Sequence, residues 1–192
     1  MKLLLATLLT FATPAVAGDI TSVYSNFDFK NCKQITADVE SESATWACKG
    51  IKGWPVTYYE GDLRGSVSFG EKPATQCSAA QTFSAFNSPG PRIEWRMQNG
   101  KPFATILRWT TDNGESGKKH SWLVVTKLDG AKTCRTAIVD GAMPEANKIA
   151  HEKADASINF DCEKSEPEIV STRELKADEL MSGAPCGPGP YN

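Results

Sequence analysis

The chain has 192 residues, with 21 basic and 23 acidic side chains and a net charge of −2. This length corresponds to one ordinary domain. The basic residues are scattered rather than clustered, which argues against a nucleic-acid-binding surface.

The first 17 residues have the three parts of a cleavable signal peptide. Lys2 provides a basic start, residues 3–12 are apolar, and residues 15–17 form a small-x-small cleavage site. The apolar stretch is shorter than the ~20 residues that a membrane-spanning helix needs. We therefore predict cleavage between Ala17 and Gly18, a periplasmic or secreted location, and no membrane span in the mature chain.

The mature chain is predicted to contain one domain and an extension. Residues 18–162 carry the patterns of strands and a helix, and we assign them to a single β-rich domain. From residue 163 onward, charged and turn-forming residues predominate, and proline and glycine recur near the end. We therefore predict that residues 163–192 form a C-terminal extension, which Cys186 tethers to the domain.

Short strands are predicted in the first half of the domain. Residues 45–48 and 54–60 are rich in aromatic and β-branched side chains. Gly61 and Asp62 favour a turn after the second of these strands. Residues 63–69 then provide a partner strand.

The clearest hairpin is centred on Asn99 and Gly100, two residues that tolerate the positive φ angles of a tight turn. Residues 93–97 alternate apolar and charged side chains, and residues 103–109 provide the return strand. A two-residue turn predicts a register in which six apolar side chains share one face. The predicted pairs are Ile93 with Ile106, Trp95 with Ala104, and Met97 with Pro102.

A second hairpin joins residues 122–128 to residues 133–139, and Asp129-Gly130 favours the turn. A two-residue loop would place Lys127 opposite Lys132, and two like charges in that position repel each other. A longer loop would avoid this pair. The sequence leaves both registers open.

One principal helix is predicted near the end of the domain. Residues 144–154 are good helix formers, and Pro144 suits the first helical position. A shorter helix is predicted over residues 172–180, with Thr172 as its N-cap and Gly183 after its end. The expected fold class is α+β: a mostly antiparallel sheet built from β-hairpins, with one principal C-terminal helix and disulfide staples.

All six cysteines lie in the mature chain, and an even number in an exported chain predicts disulfides. Their spacing is too wide for a Cys-x-x-Cys metal or redox motif. Fifteen connectivities are open to six cysteines. In the pairing we predict, one bridge closes a short loop, a second joins a strand to the segment after the helix, and the remaining pair holds the tail. These pairs are Cys32–Cys48, Cys134–Cys162 and Cys77–Cys186.

Several blocks of the sequence resemble a group of uncharacterised exported proteins found in alphaproteobacteria. The blocks are residues 46–56, 60–64, 93–96, 101–108 and 124–128. The resemblance covers roughly residues 28–162 and does not extend to the C-terminal tail. It implies an exported, single-domain protein, and it implies no catalytic residue, because no activity is established for that group.

Two histidines, His120 and His151, are the main candidates for catalysis. His151 lacks the second histidine of a zinc-protease helix, and no Gly-x-Ser-x-Gly element marks a nucleophile. The segment from Asp112 to Glu115 lacks the ligand spacing of a calcium loop and is interpreted as a turn. We therefore predict no catalytic residue, metal or cofactor. A periplasmic hydrolase that uses His120 or His151 stays open as an alternative.

A binding surface is the interpretation that the composition favours, because tryptophan and arginine are frequent at interaction hot spots. The candidate surface consists of Trp54, Glu60, Asp62, Arg64 and Trp109, provided that the tryptophans are exposed, and Arg92, Arg96 or Arg108 can flank it. We predict a monomeric, non-catalytic binding or accessory module of the cell envelope with an envelope protein as its partner. A small-molecule carrier with a pocket inside the sheet is a further alternative.

Overall fold

The computed structural model describes residues 18–28, 31–112, 118–183 and 186. The predicted signal peptide, residues 1–17, lies outside the described residues. So do most of the predicted turn that follows Asp112 and most of the proline-rich tail. Among the residues that are described, no helix is long and apolar enough to cross a membrane.

The described residues form twelve strands and three α-helices. The first six strands are β1 (Thr21–Asn26), β2 (Lys33–Asp38), β3 (Ser43–Ile51), β4 (Trp54–Gly61), β5 (Arg64–Phe69) and β6 (Thr82–Phe83). The others are β7 (Phe86–Gln98), β8 (Lys101–Asp112), β9 (Lys119–Lys127), β10 (Cys134–Asp140), β11 (Glu168–Val170) and β12 (Met181–Ser182). The helices are α1 (Cys77–Ala80), α2 (Ala146–Ala156) and α3 (Ala177–Leu180).

The strands make up three sheets. The main sheet has six strands in the order β1-β7-β8-β9-β10-β11, a second sheet has the order β2-β3-β4-β5, and β12 pairs with β6. Neighbouring strands are antiparallel except for β10 and β11. The prediction of mostly antiparallel sheet with one main helix is confirmed at this level, with more strands than the sequence indicated.

Two apolar cores hold the layers together. The larger core lies between the main sheet and the four-stranded sheet, where Val56 and Tyr58 of β4 are clustered with Ile93 and Trp95 of β7. The smaller core lies between the opposite face of the main sheet and α2. Three buried alanines, four residues apart, form the inner face of that helix: Ala146, Ala150 and Ala154.

The Asn99-Gly100 turn has the predicted form, but the predicted register holds only next to it. Both turn residues have positive φ, at 52° and 74°, and Met97 pairs with Pro102 as predicted. A β-bulge follows, between Arg96 and Met97, and shifts the pairs from Arg96 to Ile93 by one residue, before a second irregularity between Ile93 and Pro89 changes the register again.

The shifted register follows from the burial of β8 on both faces. Beyond the bulge, the pairs are Ile93–Leu107 and Trp95–Thr105, not Ile93–Ile106 and Trp95–Ala104. Ile93 and Trp95 belong to the core between the sheets, whereas Ala104 and Ile106 belong to the core under α2. Because both faces of β8 are apolar, hydrophobic alternation could not select the register.

The second hairpin uses the longer of the two loops that the sequence left open. Residues Gly130–Lys132 form a turn of 3-10 helix, and Cys134 pairs with Lys127. Lys132 is therefore not opposite Lys127, and its ammonium group lies 2.9 Å from the carboxylate of Glu163.

Both predicted helix starts are wrong. Helix α2 begins at Ala146 rather than at Pro144, because Glu145 has a left-handed backbone with φ of 58°. The later helix begins at Ala177, not after Thr172. Strand β11 ends at Val170, at the edge of the main sheet beside β10, and residues 171–176 between it and the helix are irregular.

Three disulfides connect the described cysteines, and the predicted pairing is confirmed. The pairs are Cys32–Cys48, Cys77–Cys186 and Cys134–Cys162. Such bridges are compatible with an extracellular or periplasmic protein. The last residues of the described chain are also tied by β12, whose Met181 pairs with Phe83.

Candidate functional site

A cleft of about 450 Å³ lies between α2 and the face of the main sheet on which this helix packs. Its floor is apolar and comes from Ile106, Leu123 and Ala150, which belong to three different elements. Its walls carry polar side chains: Tyr24, Arg92, Glu94, Arg108, Asn147 and His151. A concave apolar floor with a few converging polar groups is the usual composition of a ligand site.

Strand alternation brings the wall residues of the sheet together. Tyr24 of β1 lies directly opposite Glu94 of β7. Arg92 is two residues from Glu94, so both side chains stand on the same face of the strand. This is the face covered by α2, because the intervening residue, Ile93, points into the other core.

Helix periodicity supplies the opposite wall. Asn147, His151 and Asp155 are spaced by four residues and therefore follow one side of α2. This side is next to the buried alanine face, at the border between the packed side of the helix and solvent, and Asn147 is exposed. Two of them line the cleft, and Asp155 lies beyond its end.

His151 and Glu94 form a close pair in the cleft. The Nε2 atom of His151 lies 2.8 Å from Oε1 of Glu94. The same carboxylate oxygen accepts a hydrogen bond from the hydroxyl of Ser22 on β1.

A second ion pair fixes the end of the cleft. The guanidinium of Arg96 donates two hydrogen bonds to Asp155, each of 2.8 Å. Its remaining nitrogen donates to the Ser22 hydroxyl at 2.6 Å. Ser22 thus links the Arg96–Asp155 pair to Glu94, and α2 is held to β1 and β7 by bidentate, charge-assisted bonds.

The other two arginines at the cleft have neutral partners. Arg108 donates to the hydroxyl of Ser121 at 2.8 Å and to the side-chain oxygen of Asn147 at 3.1 Å. The guanidinium carbon of Arg92 lies 5.8 Å from the centre of the Tyr24 ring. Within the part of the chain that the structure describes, neither arginine has a carboxylate partner.

The geometry does not form a hydrolytic triad among the described residues. In such a triad, the serine hydroxyl is hydrogen-bonded to the histidine, and the acid orients the other ring nitrogen. Here the Ser22 hydroxyl is bonded to Glu94 and not to His151. The arrangement can orient an imidazole and present donors to a bound molecule.

Trp109, which the sequence analysis placed on the candidate surface, is buried. It is 1% exposed and belongs to the core between the sheets. Phe83 packs against it at a ring-centre distance of 6.0 Å. The local pattern does contain a signal for this burial, because Leu107 shares the face of Trp109 whereas the intervening Arg108 and the following Thr110 are polar.

The other residues of that predicted surface lie at opposite ends of β4. Trp54 is half-buried and packs against the core between the sheets. At the other end, Glu60 accepts a hydrogen bond of 2.8 Å from the Tyr58 hydroxyl. Asp62 and Arg64 form an ion pair across the turn. These residues therefore do not converge on one site, and the contacts are those of a tight turn.

The other catalytic candidate from the sequence is His120, which is next to Ser121, the hydrogen-bond partner of the cleft residue Arg108. His120 has its Nδ1 atom 3.5 Å from a guanidinium nitrogen of Arg173 and does not line the cleft. No group of three or more histidine, cysteine or acidic side chains within the described residues is arranged to hold a metal ion.

Comparisons with known proteins add no relative. No family model matches the sequence, and neither a curated protein nor a solved structure matches the chain.

Proposed function

We propose that the chain is an exported, non-catalytic binding module and that the cleft under α2 holds its ligand, a small molecule. This choice favours the carrier alternative of the sequence analysis over a purely protein-binding module. The observation that carries it is the convergence of an apolar floor with polar groups from β1, β7, β8 and α2. A volume of 450 Å³ is within the usual range for small-molecule sites.

Export is part of the proposal and has two supports. The N-terminal pattern of a basic residue, an apolar stretch and a small-x-small site is typical of a signal peptide. Three disulfides suit an oxidising compartment. The sequence resemblance to exported alphaproteobacterial proteins is in line with this location.

Native mass spectrometry of the protein isolated from the export compartment of its own host tests the proposal. We expect a bound small molecule on the wild type. Asn147→Trp should eliminate it, because this exposed residue lines the cleft. Lys148→Trp is the matched control, since Lys148 is an exposed neighbour outside the cleft and should retain the ligand.

Recovery of only the apo protein would contradict a small-molecule ligand. Cross-linking of the same preparations then examines the protein-partner alternative. One abundant envelope protein, captured equally by wild type and Asn147→Trp, would assign binding to another surface.

The His151–Glu94 contact favours one second candidate, a hydrolase in which this pair acts as a general base. His151→Ala and His120→Ala separate the two candidates. Loss of a hydrolytic activity in the first variant, with full activity in the second, would support catalysis at the cleft. Ligand binding without turnover in the wild type would support the non-catalytic proposal.

A further inference from the structure

The charges around the cleft indicate what kind of ligand it accepts. Among the described residues that line it, Glu94 is the only acidic side chain, and Arg92 and Arg108 are both basic. Glu94 is already engaged by Ser22 and His151. The cleft is therefore locally basic, although the whole chain has a net charge of −2.

Arg96 and Arg108 differ in whether the described chain provides an anionic partner for the guanidinium. Both stand on the α2 side of the main sheet. Arg96 has Asp155 as a bidentate partner at 2.8 Å. Arg108 has only Ser121 and Asn147, which are neutral, and these two bonds use two of its five N–H donors. Its charge is half-buried and lacks a counterion within the described chain.

Arg92 adds a second guanidinium at the mouth of the cleft. It is exposed and lies over the ring of Tyr24, which is itself 55% exposed. Stacking on an aromatic ring orients a guanidinium and leaves its N–H edge available. Guanidinium groups recognise carboxylate and phosphate by parallel, charge-assisted hydrogen bonds.

The floor determines the rest of the ligand. Ile106 and Leu123 are about 5% exposed, and Ala150 is fully buried. Contact with these side chains favours an apolar part of the ligand, because they offer no hydrogen bond to a polar group. The cleft thus combines a basic rim with a hydrocarbon-like floor.

We propose that the cleft binds an organic oxyanion, with its head group at Arg108 and Arg92 and its apolar body on Ile106 and Leu123. The proposal rests on the proposed function and specifies the ligand class of that same site. The Glu94 carboxylate is engaged by Ser22 and His151, and these contacts partly compensate its negative charge.

Calorimetric titration with three probes that carry similar straight hydrocarbon chains, of seven or eight carbons, tests the ligand class. The probes are octanoate, octyl phosphate and octanol. We expect at least one of the two anions to bind about tenfold or more tightly than octanol, because only the anions form charge-assisted bonds. The preferred head group distinguishes a carboxylate ligand from a phosphate ester.

Single substitutions test whether Arg108 and Arg92 are responsible for the tighter binding of the anions. Arg108→Gln and Arg92→Gln should each weaken binding of the preferred anion by about tenfold, and Arg108→Lys should retain part of the affinity. Lys101→Gln, at an exposed position outside the cleft, removes the same charge and should change nothing. Arg92 is exposed, so its variant remains informative even if Arg108→Gln impairs folding.

Equal affinity for octanol and the anions, or anion binding that survives both glutamine variants, would overturn the oxyanion assignment. The proposed function has a separate test. A neutral molecule found by native mass spectrometry and lost in Asn147→Trp would retain the binding function and refute only the ligand class. Apo protein in that experiment would refute the binding function itself.

Discussion

Asp140, at the end of β10, is a carboxylate whose side chain is only 6% exposed. It accepts hydrogen bonds from the backbone N–H of Ala142 at 3.0 Å, from Ser171 at 3.1 Å and from Arg173 at 2.8 Å. Burial opposes its ionisation, but these bonds outweigh burial and hold the pKa of Asp140 below its ordinary value of 3.8. The residue therefore fastens the segment after β11 to the main sheet.

Replacement of Asp140 should make the protein less stable at neutral pH and less sensitive to acid. A lowered folded-state pKa stabilises the protein above the unfolded value, and the gain is lost as pH falls through the folded value. We expect Asp140→Asn to lower the free energy of unfolding by about 1–3 kcal/mol at pH 7. The difference from wild type should shrink below about pH 3.

Urea unfolding at pH 7 and at about pH 3 measures the difference in the free energy of unfolding between wild type and Asp140→Asn. Asp129→Asn is the control, because the Asp129 side chain is 54% exposed and should matter little at either pH. A constant difference between wild type and Asp140→Asn across the acid range would be inconsistent with a lowered pKa.

Arg135 of β10 is a buried cation of a different kind. It is 3% exposed, and its guanidinium carbon lies 5.3 Å from the ring centre of Phe83 and 5.4 Å from that of Trp109. One of its nitrogens lies 3.4 Å from the sulfur of Met181. No carboxylate pairs with it among the described residues, and burial lowers the pKa of Arg135 to about 9.

We expect Arg135→Met to stabilise the protein by about 1–3 kcal/mol at pH 7, because desolvation of a lone buried charge outweighs its stacking energy. Arg135→Lys should destabilise it, since an ammonium group is more strongly hydrated and stacks less well. Thermal and denaturant unfolding of both variants measure these changes. A less stable methionine variant would mean that the aromatic contacts, or a partner outside the described chain, make the cation favourable.

At the level of elements, local signals predicted turns better than they predicted registers. Asn99 and Gly100 form the expected tight turn, because their tolerance of positive φ is a property of the residues themselves. The bulge after Arg96 depends on which face of β8 meets α2, and no short pattern contains this information. The predicted start of α2 was wrong for a similar reason, because the left-handed conformation of Glu145 is determined by its surroundings.

The disulfides differ in how much chain they restrain, and removal of each pair should reflect this. Cys77–Cys186 joins residues 109 positions apart, whereas Cys32–Cys48 spans 16 positions. Loop-closure entropy predicts that removal of the long-range bridge lowers the free energy of unfolding by about 1.7 kcal/mol more than removal of the short one.

Denaturant unfolding of the two double alanine variants, Cys77→Ala/Cys186→Ala and Cys32→Ala/Cys48→Ala, measures the difference. The fully bridged chain is the reference for both. The opposite order of stabilities would show that native packing around the bridges, not restraint of the unfolded chain, determines their effect.

At the level of the whole molecule, the candidate site could be predicted only in part. The sequence predicts His151 on a helix and offers Arg92, Arg96 and Arg108 as flanking residues of a binding surface. Their convergence is not visible in the sequence, because Ser22 and Glu94 are 72 positions apart and meet only through the β1–β7 pairing. The spacing of Asn147, His151 and Asp155 was the one local signal for a functional side of α2.

The central claim, a ligand site between α2 and the main sheet, is tested most directly by backbone NMR during titration with octanoate and octyl phosphate. We expect the largest amide shift changes at Gly90 to Glu94 on β7 and at Asn147 to His151 on α2, and no comparable change in Asn147→Trp. A spectrum that neither anion alters would contradict the oxyanion ligand class. Changes centred on the four-stranded sheet, around Ile35 and Tyr59, would contradict the assignment of the site itself.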